Sequence, residues 1–181
     1  VSYDFSYGWQ NPWRKPSVLN ATEYATIMNE GYLNAGKAPV YDNPYEFGEG
    51  TDWIGLIFNE NAPVMKHDVN INGGNDKLTY STSFGYLTRE GTVGGNYGRS
   101  NYDRFTARQA VNATRFDNSA QRNWLNKMTV NTSVSYAHMN ATGIEANSEF
   151  GSPLGSAMSM SPLLDVYATP EEEESYQTMY P

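Results

Sequence analysis

Cysteine is missing from all 181 residues. That excludes a disulfide scaffold and a cysteine-ligated metal site, and it leaves the redox compartment open. No run of about 18 apolar residues occurs, so the sequence holds no transmembrane helix; a membrane barrel escapes that criterion, because its strands alternate. Charge is scarce too, at 18% of residues against roughly 25% in soluble domains. Basic residues are the rarer kind: 12 Lys and Arg against 20 Asp and Glu give a net charge of -8. With no basic stripe, a nucleic-acid partner is argued against, since phosphate binding needs clustered cations. An initiator methionine and a signal segment are also missing, and the chain opens inside an alternating run, VSYDFSYGWQ. It is therefore expected to be a mature or excised piece of something longer.

What is abundant is the aromatic ring, 14% of residues with 14 tyrosines, set in long alternations. In the opening run Val1, Tyr3, Phe5, Tyr7 and Trp9 fall on one side, opposite Ser2, Asp4, Ser6, Gly8 and Gln10. Five apolar residues at strict period two predict a strand over about 1–10. Similar beats predict strands over about 66–73, 78–89, 102–115 and 124–138. The second and third are joined by a tight GGNDK turn in which Gly supplies positive φ. In the third, Leu78, Tyr80, Thr82, Phe84 and Tyr86 oppose Thr79, Ser81, Ser83 and Gly85. A sixth, weaker alternation lies over about 149–160.

Between the first two strands, residues 11–65 carry other signals. Asn20 with Glu23 three residues on forms a box-like cap ahead of Tyr24, Ile27 and Met28, predicting a helix that ends at Gly31 or Gly36. Thr51 or Asp52 could cap a short apolar helical turn, and Thr169, Pro170 and the acidic run Glu171 to Glu174 suit a further helix start.

Strand length bears on where the apolar sides go. Soluble strands run about five or six residues, whereas ten residues tilted near 45° rise about 23 Å, enough to cross an apolar band of about 25 Å. Asp103, Arg115, His67 and His138 share the parity of the apolar face only at strand ends. The opposite face is rich in Ser, Thr, Asn and Gly, and Trp9, Tyr86, Trp124 and Tyr136 sit where interfacial rings belong. The residues alone fit two architectures: a transmembrane barrel, or a secreted β-sandwich acting as an adhesin or carbohydrate-binding module.

Chemistry-bearing constellations are few. His67 and His138 have no partner at metal-ligand spacing. Asp42, Glu46, Glu49 and Asp52 are loosely spaced without EF-hand order, so no metal or cofactor is expected. Asn20, Asn112, Asn131 and Asn140 begin N-x-S/T triplets, read here as accidents of composition. No serine lies in a nucleophile elbow and no carboxylate pair is marked by context, so no enzyme is expected. Trp13, Arg14, Tyr41, Tyr45 and Trp53 lie in the 11–65 segment. Their rings could contact substrate or a partner protein, or form the segment's own small core.

Taken in order, YGWQNPWRKPSVLNATEYATIMNEGYLNAG, GTDWIGLIFNENAPVMKHDVNINGGNDKLTYSTSFGYLTREGTVGG, SNYDRFTARQAVNATRF and SMSPLLDVY resemble the early barrel region of the SusC/RagA family of TonB-linked outer-membrane proteins. The resemblance covers roughly residues 1–167. It implies an all-β fold: antiparallel hairpins forming part of a transmembrane β-barrel of TonB-dependent transporter type, with short helices in an outer loop over 11–65. Such barrels have about 22 strands and a plugged lumen. It further implies import of glycans or peptides across the outer membrane, a SusD-like surface lipoprotein as lid, and energy drawn from the TonB complex through a plug. On this reading residues 1–181 hold one partial barrel domain, and the plug and remaining strands lie outside it.

Overall fold

A computed structural model describes residues 1–116, 124–144, 152–167 and 170. The chain divides into two compact units, Val1–Pro12 with Asn59–Ile144, and Trp13–Phe58 with Glu145–Pro181.

The first unit is a five-stranded sheet in the order β1-β2-β3-β4-β5: β1 Ser2–Gln10, β2 Ala62–Asn75, β3 Leu78–Glu90, β4 Asn101–Phe116 and β5 Met128–Thr142. Every neighbouring pair is antiparallel. The sheet is open, because among the described residues β1 and β5 do not pair with each other. It is also single, and the second layer that a sandwich requires does not occur among the described residues.

Register explains where the strands depart from their expected bounds. β2 starts four residues before the expected Lys66, because β1 offers it partners up to Gln10↔Ala62. His67 therefore lies inside the strand, where its Cα faces Phe5. β5 likewise starts at Met128 and runs to Thr142, following β4 down to Asn101↔Thr142; Trp124, 82% exposed, precedes it. β4 carries a bulge between Thr114 and Phe116. Arg115 is the extra residue, and the bulge returns Phe116 to the side of Met128.

The β2–β3 turn relies on both a side chain and a glycine. Asn75 Oδ1 accepts from Lys77 N and Leu78 N, each at 2.9 Å, and Gly74 has φ +148° where a Cβ would run into Leu78 O.

The second unit is helical: α1 Ala21–Asn34, a 3-10 turn Pro44–Phe47, α2 Trp53–Ile57 and α3 Pro153–Ser159. The capping box expected at Asn20 forms, with Glu23 N donating to Asn20 Oδ1 at 2.8 Å and Asn20 N to Glu23 Oε2 at 3.0 Å. α1 runs through Gly31 and stops before Gly36, whose φ of +72° closes a Schellman motif: Gly36 N donates to Leu33 O at 2.9 Å and Lys37 N to Tyr32 O at 2.9 Å. Asp52 caps α2 through Gly55 N at 2.8 Å.

The sixth strand expected over 149–160 is replaced by α3, a correction with a local cause. Ser152 is the N-cap and Pro153 takes the first turn, an arrangement that starts helices and removes a strand donor. Residues 149–151 of that expectation, and the helix start expected at Thr169 with Glu171 to Glu174, lie outside the described residues. Among the described residues no helix is long and apolar enough to cross a membrane.

Candidate functional site

The two faces of the sheet differ in kind. On one, the register aligns Tyr3, Val69, Phe84, Ala107 and Tyr136 in one cross-strand row, and Phe5, His67, Tyr86, Phe105 and His138 in the next. These side chains are open: Tyr3 is 60% exposed, Phe5 53%, Val134 64% and Tyr136 57%. The first unit's only buried apolar residue among those described is Ala62. Leaving this much ring and aliphatic surface in water costs roughly 25 cal/mol per Å², so the face calls for an apolar environment.

The edge of this apolar band cuts across the sheet at an angle. The last large apolar residue or Tyr or Trp ring toward the Gln10 end is Trp9 on β1, Met65 on β2, Tyr86 on β3, Phe105 on β4 and Tyr136 on β5; Thr88, Asp103 and His138 come next on the last three. Following the register from Tyr136 through Ala107, Phe84 and Val69 arrives at Tyr3, six residues short of Trp9. That is a retreat of about 20 Å along the strands while crossing about 19 Å of sheet, an inclination near 45°. The other edge falls the same way, since Ile71 on β2 is level with Val134, six residues from Met128. A band bounded by two parallel oblique lines is what tilted strands present to a flat apolar slab, whose strand tilt is about 35–45°.

Tyr3 and His67 tie one another down inside this band. Tyr3 Oη lies 2.7 Å from His67 Nδ1, and the Phe5 ring is 4.8 Å from the imidazole. At the border Tyr86 Oη donates to Asp103 at 3.4 Å. Gln109 also shares this face, level with Thr82 and Val134. Reading strand four for charge alone passed over it.

The opposite face carries Asp4, Lys66, Asp68, Arg89, Arg104 and Arg108 among Ser, Thr and Asn. Lys66 Nζ pairs with Asp68 at 2.6 Å, and Arg89 lies over the Tyr102 ring at 5.5 Å. Gly85 opens a notch beside them, since a Cβ there would come within 2.7 Å of Thr106 Oγ1 and 3.0 Å of Asp68 Oδ1. The hydroxyl pattern was legible in the sequence. The grouping of three cations from β2 and β4 needed the register.

The aromatic candidates between β1 and β2 separate by environment, all within the second unit. Trp53 is half-buried and its indole N–H donates to Ser161 O at 3.0 Å. Tyr41 packs edge-on to Phe47 at 5.4 Å, its backbone held by Asn29. Trp13 at 98% and Tyr45 at 80% are open to solvent, as is Arg14. Among the described residues no hydrogen bond, ion pair or ring contact joins Trp13 or Arg14 to the other three. Of the acidic set, Asp52 caps α2 and Glu46 accepts from Asn43 at 3.0 Å; among the described residues no group of three or more His, Cys, Asp or Glu converges as a metal site.

No protein-family model matches the chain. Among characterised proteins it is similar to the TonB-dependent receptor SusC of Bacteroides thetaiotaomicron, with 30% identity over 178 residues, 98% of this chain. It is also similar to a TonB-dependent receptor of Formosa agariphila, with 31% identity over 78 residues, 43% of the chain. The chain spans 15% of the length of the first and 8% of the second.

Proposed function

We propose, from the premise that this chain is a SusC-like TonB-linked protein whose sheet is part of a TonB-dependent β-barrel, that it forms wall and outer loop of an outer-membrane importer of large nutrients. The oblique apolar band carries this reading. Its rings and aliphatic groups face acyl chains, and the hydroxyl-rich face with Lys66, Arg104 and Arg108 lines the aqueous lumen. In this assignment the GGNDK turn is periplasmic and the helical segment between β1 and β2 lies outside.

The cargo class we assign is a glycan or peptide, delivered under a SusD-like surface lipoprotein and drawn inward by the TonB complex acting through a plug. Trp13, Arg14 and Tyr45 are the contacts we assign to cargo or lid, because their side chains are free to reach one. Tyr41 and Trp53 position the loop from beneath. Transport needs no catalytic group, and the role is that of a carrier, not an enzyme.

Labelling of the two faces in the native membrane tests this. With single cysteines introduced by Phe84→Cys and Tyr136→Cys, or by Asn112→Cys and Asn131→Cys, a charged maleimide should reach the second pair and spare the first. Equal labelling of both pairs would sink the membrane assignment. Failure of a surface lipoprotein to co-purify with the protein would instead sink the lid.

A further inference from the structure

Arg108 sits near the middle of its face, where it is surrounded by hydroxyls. Its direct cross-strand neighbours are Ser83 on β3 and Ser135 on β5, and one row further Ala110 lies between Ser81 and Ser133. These six residues border a depression of about 360 Å³. Ala110, having no side chain beyond Cβ, leaves its middle low, and four hydroxyls stand around it with one guanidinium at the rim.

Each serine can donate one hydrogen bond and the guanidinium can donate five in a fixed planar fork. A neutral occupant can use these donors as well, but only an oxyanion uses the guanidinium charge together with the hydroxyls. Among the described residues the carboxylates on this face are Asp4 and Asp68; Asp68 borders a neighbouring depression together with Arg108, but it is paired with Lys66 at 2.6 Å. Among the described residues no carboxylate pairs with Arg108. A chain of net charge -8 thus keeps, among the described residues, a cation without an ion-pair partner amid hydroxyls.

We propose that Arg108, with Ser81, Ser83, Ser133 and Ser135, is a binding site for an oxyanion, a carboxylate or sulfate group. The group comes either from an acidic solute in the lumen or from an acidic side chain of the same protein seated there. The proposal rests on the reading of this face as the aqueous one. Arg104, two rows away between Leu87 and Met139, borders the neighbouring depression with Ser83 and Thr106 but not the one the four serines surround.

The test is modification of the full-length protein in detergent by phenylglyoxal, which reacts with free guanidine groups, read residue by residue by mass spectrometry. Chloride and sulfate are compared at equal ionic strength, with Arg104 as internal reference. If a solute supplies the anion, sulfate slows Arg108 about tenfold relative to Arg104, the ratio expected of one charge-assisted site. If a protein carboxylate supplies it, Arg108 is unreactive in dilute chloride and becomes reactive in concentrated chloride. Arg108 modified equally in chloride and sulfate overturns the site, and so does Arg108 unreactive at every salt concentration. Ser83→Ala with Ser135→Ala should abolish the sulfate effect without changing labelling of Asn131→Cys. That labelling reports water on this face independently of any anion.

Discussion

The sheet and the helical unit differ in whether they close a core of their own. The helical unit closes a small core, with Ala21 and Ala25 fully covered, Ile54 3% exposed and Ala157 5%, and it ties residues 161–164 to 51–53 by hydrogen bonds from Thr51 and Trp53. The sheet closes no such core: among its described apolar residues Ala62 alone is buried, and its exposed rings and aliphatic groups share one face. Caps and small cores suit a segment standing in water. An uncovered apolar face on strands whose inner members are paired on both sides suits lipid, where each unpaired peptide group would cost several kcal/mol.

Four substitutions press on that contrast, in falling order of expected effect. Phe84→Arg puts a charge in the apolar band and should destabilise the folded barrel in lipid by about 2–4 kcal/mol. The readout is urea unfolding in vesicles, and a cost near that of Ser83→Arg on the opposite face would break the distinction between faces. Gly74→Ala forces a side chain into φ +148° against Leu78 O, and a loss of roughly 1–3 kcal/mol in the same assay is expected. An unchanged midpoint would show that Asn75 alone makes the turn.

Asn20→Ala removes the N-cap of α1 and should cost about 1 kcal/mol, confined to the helical unit. Limited proteolysis there should quicken while the unfolding midpoint of the sheet holds; a shift in both would mean that the units are not independent. Tyr45→Ala, at an open site, should change stability by less than about 0.5 kcal/mol yet weaken capture of cargo or lipoprotein. Undiminished capture would remove Tyr45 from the contact surface.

Much of this was legible because a strand's side chains alternate without exception. Parity alone placed Tyr3, Phe84 and Val134 on one face and Ser83, Arg108 and Asn131 on the other. The cap at Asn20 was equally local, an Asn and a Glu three residues apart. Ser152 with Pro153 carried a helix signal of the same type, outweighed by the weak alternation around it. The Trp53 indole bond could not be read, because its acceptor, Ser161 O, lies more than a hundred residues away.

By itself, then, the sequence determined which side of each strand is oily and where the helices begin, since both depend on neighbours a few residues apart. Only the tertiary structure decided how far each strand slides against the next, and so the slope of the apolar band, the bulge at Arg115 and the serines gathered about Arg108. Those follow from hydrogen-bond register between strands, which alternation leaves free to shift two residues at a time.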